Sequence, residues 1–132
     1  MKKISILVDT DIFIDYFNTG LFARILENKN FNIYYSIITE KELLSKKGLK
    51  TSEKEAIIYT LSKHRKIRLN HAILNKYSEL RSLYPTIDKE DLLIAATAIV
   101  KHLSLLTRNY KHYKEIKELK LIRKKEKSLK KT

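Results

Sequence analysis

Cysteine and tryptophan are absent from this chain, and 132 residues contain one proline and two glycines. Without cysteine there is no disulfide framework and no thiolate zinc site. Scarce glycine and proline imply short, regular connections. No run of 18 apolar residues occurs, so no membrane helix is expected, and the five-residue apolar stretch behind Lys2 and Lys3 is too short for a signal peptide. A cytoplasmic location, with no membrane partner, follows as the expectation. Acids are also in short supply: 15 Asp or Glu face 28 Lys or Arg, a net charge of +13. Residues 101–132 hold twelve Lys or Arg against three Glu, so this end alone carries +9. The complement of such a surface is a polyanion such as RNA or DNA, or an acidic protein; a merely solvated lysine-rich surface is the alternative.

What is present reads as one α/β domain, residues 1–122, followed by a basic tail, residues 123–132. Residues 4–8 are nearly continuous in Ile, Leu and Val, the composition of a strand buried on both faces of a parallel sheet. Asp11 is placed to cap a helix carrying Ile12, Phe13, Tyr16 and Phe17, and a further helical turn carries Ile25 and Leu26. Residues 31–38 are β-branched and aromatic and predict a second strand. Thr39 and Glu42 have capping-box spacing for a short helix that ends before Gly48. A helix over 51–63, a short edge strand at Ile67 and Leu69, and an Asn70-capped helix through Leu83 follow. Residues 88–102 predict a helix apolar all round and therefore buried. A strand at 103–106, a short helix at 110–116 and a last strand at 119–122 complete the pattern. Alternating strands and helices define a central parallel sheet covered on both faces, with the first strand near its centre.

Three acids share one address in this reading. Asp9 ends the first strand, Glu42 lies just after the second, and Asp91 opens the buried helix. Parallel strands bring such junctions to one edge of the sheet. Two carboxylates about 4 Å apart repel by roughly 4 kcal/mol at an effective dielectric near 20, so either one is protonated or a cation joins them. Oxygen donors without cysteine or paired histidines favour Mg²⁺ or Mn²⁺, and such an ion can activate water against a phosphodiester. Each acid also has a structural reading: Glu42 as capping partner of Thr39, Asp91 as capping partner of Asp88, Asp11 as an N-cap and Asp15 as a surface acid. His64, His71, His102 and His112 show no metal-ligand spacing.

Four segments in order, Leu7-Val8-Asp9-Thr10-Asp11-Ile12-Phe13-Ile14, Ser36-Ile37-Ile38-Thr39-Glu40-Lys41-Glu42-Leu43-Leu44, Asp91-Leu92-Leu93-Ile94-Ala95-Ala96-Thr97-Ala98 and Leu105-Leu106-Thr107-Arg108-Asn109, resemble the PIN domain. More narrowly they are similar to the VapC-type toxins of toxin and antitoxin pairs. The resemblance implies a three-layer α/β/α fold and a metal-dependent endoribonuclease in which Asp9, Glu42 and Asp91 hold Mg²⁺ or Mn²⁺. It also implies an RNA substrate, an antitoxin protein partner, and a homodimer formed through the first-half helices of residues 12–26. Glu42 rather than Glu40 fits because it directly precedes the paired leucines. The family's frequent fourth acid is missing: Asn109 stands at an Asp or Asn position, and His112 stands where an acid commonly precedes an aromatic. Asn109 with Thr107 is therefore expected to position water, Asp11 is a secondary candidate ligand, and one ion is expected to bind tightly with a weak second. A non-cleaving PIN-fold binding module, or a housekeeping RNA-processing nuclease without antitoxin, are the alternatives.

Overall fold

The computed structural model describes residues 2–122; the basic run of residues 123–132 lies outside them. Four parallel strands lie in the order β3-β2-β1-β4, with β1 (Ile4–Val8) and β2 (Phe31–Ser36) inside, and β3 (Arg65–Ile67) and β4 (Ser104–Leu106) at the edges. Side chains alternate across each strand, and this alternation builds two cores. Leu7 and Leu105 enter one core with Ile73, Leu80 and Leu92, while Ile6, Val8 and Leu106 enter the other with Ile12, Phe13, Ile33 and Tyr35. The first two residues of β1, Ile4 and Ser5, depart from the expected double-sided burial, Ile4 being more than half exposed.

The second core is covered by α1 (Thr10–Thr19), α2 (Ala23–Leu26), α3 (Ile37–Leu44) and α4 (Thr51–Ser62). The first is covered by α5 (His71–Leu83), α6 (Lys89–Lys101) and the short α7 (Tyr110–Tyr113). The result is the expected three-layer α/β/α domain. Helix α6 buries seven consecutive residues, Leu92 through Ala98, as its uniform apolarity predicted, and the lone hydroxyl among them donates from Thr97 to the Leu93 carbonyl at 2.8 Å. Asn70 caps α5 as expected, its side chain accepting the Ile73 N–H at 2.9 Å. Gly20 ends α1 in the left-handed region at φ 78°, where a residue without Cβ is favoured.

Several local expectations are corrected. The predicted strand at 119–122 is a single parallel bridge from Leu121 to Leu105. The second strand stops at Ser36, and α3 begins at once: Ser36, not Thr39, is the N-cap, its hydroxyl accepting the Ile38 N–H at 3.0 Å. Likewise Asp9, not Asp11, caps α1, accepting the Thr10 N–H at 2.8 Å. Ile12, Phe13, Phe22, Ile25 and Leu26 are spent on the chain's own core, which leaves Ile14 as the exposed large apolar side chain of that stretch. Elsewhere Ile58, Tyr59, Leu74 and Leu83 are exposed. Among the described residues no helix is long and apolar enough to cross a membrane.

Candidate metal centre at the carboxyl edge of the sheet

β1 and β4 run parallel side by side, so the residues that leave them are neighbours. The Asp9 N–H still donates to the Leu106 carbonyl at 3.0 Å, which continues the ladder one step past the strand. That step places Asp9 against Thr107. The Thr107 hydroxyl donates to Asp9 Oδ2 at 2.7 Å and accepts the Asn109 N–H at 3.0 Å, so its orientation is fixed from both sides. Asp9 is 4 % exposed. Burial, then the facing charge of Asp11, and more weakly that of Asp91, push its carboxyl up to about 7, against the opposing hydrogen bonds from Thr107 and Thr10.

Glu42 arrives from α3. The corrected start of that helix removes its capping role, because a residue six positions into a helix has no orphan N–H of the first turn to serve. Instead its Oε1 meets the Thr10 hydroxyl at 2.5 Å, and that hydroxyl also meets buried Thr39 at 2.9 Å. Thr10 is thus the link that ties the rim acid of α3 to the start of α1. Partial burial, together with the charges of Asp91 and Glu90, holds the Glu42 carboxyl above its ordinary value, while the Thr10 bond works the other way. Glu40, the other acid of that helix, is paired with Lys66 at 3.2 Å. The preference for Glu42 over Glu40 at the site therefore has a spatial basis.

Asp91 sits in the first turn of α6, and its capping reading also fails: Asp88 at the N-cap makes no side-chain cap bond. Both Asp91 oxygens turn to α7, where Tyr113 donates its hydroxyl to Oδ1 at 3.2 Å and His112 Nδ1 lies 3.3 Å from Oδ2. Tyr113 is fully buried, and burial with the nearby charges of Asp9 and Asp91 raises its hydroxyl well above the usual tyrosine range, so it stays a proton donor. Asp11 accepts the Arg108 N–H on Oδ2 at 3.1 Å, while its Oδ1 is buried without a hydrogen-bond partner. Burial pushes the Asp11 carboxyl to about 6. Asp15 is no free surface acid, since the Arg108 guanidinium pairs with it at 2.5 Å.

The structure therefore joins Asp9, Glu42 and Asp91 into one electrostatic neighbourhood, with Asp11 and Thr107 inside it and Asn109 anchored beside it. It does not assemble a closed cage: among the described residues no three His, Asp or Glu stand close enough to hold an ion by themselves. The donor set still fits a hard divalent ion, which binds through one or two carboxylates and keeps several waters. The orphaned, buried Oδ1 of Asp11 and the repulsion of Asp9 by Asp11 and Asp91 are deficits that such an ion would relieve. A cavity of about 730 Å³ at the other end of the strands, beside Lys3, Asn32 and Arg65, contains none of these acids. Thr10, Arg108 and Tyr113 carry no role in the sequence reading, where adjacency to Asp9 and to Asn109 was the available signal for the first two, and His112 enters it as the residue that stands where an acid is common.

The chain is of the open α/β class, in which ligands bind at the edge where the parallel strands end, and here that edge collects carboxylates. The PIN domain family model matches residues 6–119, and the chain belongs to that family. Ribonuclease VapC1 of Methanocaldococcus jannaschii is 34% identical over 116 residues, covering 84% of this chain and 80% of the relative. A toxin-antitoxin complex from Klebsiella pneumoniae contains a chain 30% identical, with a TM-score of 0.73 and coverage of 86% and 94%. VapBC2 from Rickettsia felis, bound to a DNA fragment from its promoter, shares the fold at a TM-score of 0.74 and 24% identity, with coverage of 90% and 98%.

Proposed function

We propose that this chain is an endoribonuclease that hydrolyses RNA phosphodiesters with the help of Mg²⁺ or Mn²⁺, and that it is the toxin of a VapBC-type pair. The observation that carries the reading is Asp9: a nearly fully buried carboxyl at a sheet edge, facing Asp11 and Asp91, is a costly arrangement that a merely folded domain has no use for. Support comes from the likeness to a ribonuclease and to a chain of a toxin-antitoxin complex.

Asp9, Glu42 and Asp91 are the proposed ligands, with Asp11 as a secondary one. The bound ion would activate the attacking water and offset the charge that builds on the phosphorus oxygens. Hydrolysis forms one bond from water oxygen to phosphorus and breaks one P–O ester bond, the departing oxygen taking up a proton. The chain's own part is placement. Thr107 and the Thr10 N–H hold Asp9, Thr10 holds Glu42, and Tyr113 holds Asp91, so the charges stay where the reacting phosphate must come. Asn109, fixed through its N–H on Thr107, is the candidate for orienting water beside them. The surplus of cations elsewhere, +13 in all, draws the RNA backbone toward an otherwise acidic pocket. An antitoxin protein is the proposed partner, and the chain is proposed to act as a homodimer.

The test is cleavage of a labelled RNA pool by the wild type and by Asp9→Asn, with and without chelator. Loss of cleavage in the variant and in chelator, restored to the wild type by Mn²⁺, is the expected result; equal cleavage in all four conditions overturns it. Neutral Asn109 and the open arrangement of acids favour a second reading, a PIN-fold module that binds RNA without cutting it. That module would retain RNA on a filter in Mn²⁺ and release no fragments. A neighbouring gene that encodes a short antitoxin-like protein separates a toxin from a housekeeping nuclease.

A further inference from the structure

Asp91 differs from the other proposed ligands in that one short element supplies the partners of both its oxygens, and the two partners are chemically unlike. Tyr113 is buried, and its hydroxyl donates to Oδ1 and so orients it. His112 has about half of its side chain in solvent (53 %), and a neutral imidazole nitrogen is itself a metal ligand. We propose that His112 is a nitrogen ligand of the divalent-ion site, placed beside Asp91 Oδ2, and that it makes the site select a first-row transition ion over Mg²⁺.

The spacing suits this role. Two donors bonded at about 2.1 Å to one ion, at a right angle, lie about 3.0 Å apart. His112 Nδ1 and Asp91 Oδ2 are 3.3 Å apart, so both reach one ion after a shift of tenths of an ångström in an exposed ring. Charge points the same way. Asp11 and Asp91 already repel the Asp9 charge, and a neutral nitrogen adds a bond to the ion without adding a further negative charge. The selectivity follows from ligand type, since an imidazole nitrogen bonds first-row transition ions, Mn²⁺ the least strongly of them, whereas Mg²⁺ keeps an all-oxygen shell.

The competing explanation is an ordinary His-Asp ion pair at a half-exposed position. It makes the opposite prediction, because removing the histidine would free Asp91 and strengthen ion binding. The inference rests on the reading that Asp91 holds the ion, and the experiment separates the two. The full chain is titrated calorimetrically with MnCl₂ and with MgCl₂, and the Mn²⁺-loaded protein is measured by pulsed EPR, which detects a directly bonded nitrogen. Variants are His112→Ala, His112→Gln and, as a control, His71→Ala.

The expected result is a nitrogen signal in the wild type and in His71→Ala that disappears in both His112 variants, with Mn²⁺ affinity falling about tenfold or more. Mg²⁺ affinity should fall much less. Mn²⁺ that binds the wild type without a nitrogen signal, or a signal that survives in His112→Gln, overturns the role of His112 and leaves the nuclease reading standing. Tighter Mn²⁺ binding in His112→Ala does the same. A wild type that takes up neither ion overturns both.

Discussion

Replacing Asp9 with asparagine should stabilise the metal-free protein at pH 8 and destabilise it slightly at pH 4. In the unfolded chain this carboxyl titrates near 3.8, and in the fold at about 7. Between those values the folded chain keeps a proton that the unfolded chain has released. The Asp9 contribution is therefore fully favourable below pH 4, declines as pH rises, and levels off above 7. At roughly 1.4 kcal/mol per pH unit, the decline amounts to about 4 kcal/mol. Asparagine keeps the shape and accepts the Thr10 N–H. Its amide nitrogen stands where Asp9 Oδ2 accepts the Thr107 hydroxyl and cannot accept that proton, and the lost bond costs about 1 kcal/mol. The variant should thus be about 1 kcal/mol less stable at pH 4 and about 3 kcal/mol more stable at pH 8. Urea unfolding followed by far-UV circular dichroism at the two pH values measures it. Adding Mn²⁺ at about 100 times its dissociation constant should return about 2.7 kcal/mol to the wild type alone. An apo wild type as stable as the variant at pH 8, with no relative change down to pH 4, would refute the claim that Asp9 is a strained buried charge.

Thr10→Val removes the hydroxyl shared by Glu42 and Thr39; it should cost about 1 kcal/mol and raise the Glu42 titration further, moving the acid limb of the cleavage profile to higher pH. Leu92→Ala, at a fully buried position of α6, should cost about 2 to 5 kcal/mol in chemical denaturation while RNA cleavage by the folded fraction persists. Arg108→Gln breaks a half-exposed pair with Asp15 and should shift stability by less than about 1 kcal/mol, yet raise the Asp11 titration by removing an opposing charge, as proton NMR of the side chain would show. Deleting residues 123–132 removes six Lys or Arg and one Glu; if they contact phosphates, the salt dependence of RNA binding should flatten by about 0.7 in log-log slope per contact.

The parts of the fold that were legible are those where one physical signal dominates. Leu7 and Val8 sit in an uninterrupted apolar run, Leu92 through Ala98 form a segment apolar on every side, and Asn70 stands alone before an amphipathic stretch. Where two equivalent signals compete, the residue pattern misplaced the boundary. Ser36 and Thr39 are both good caps, and the intervening Ile37 and Ile38 suit a strand as well as a helix. Asp9 and Asp11 are likewise both good caps, and only the ladder bond to Leu106 decides between them. That Asp91 lies within electrostatic reach of both Asp9 and Glu42 was readable, because parallel strands send their ends to one edge. The contacts of Asp91 with His112 and Tyr113 were not, since they depend on how α7 folds back across α6, 21 and 22 residues away. Correcting α3 strengthened the site, because it removed the capping explanation for Glu42.

The most direct measurement is an anomalous difference map from crystals of the full chain grown with MnCl₂. The expected result is a Mn²⁺ peak coordinated by Asp9 and Asp91, with Glu42 turned toward the same ion directly or through one water. A peak elsewhere on the surface, or no peak at the end of β1 when the solution titration shows binding, would contradict it.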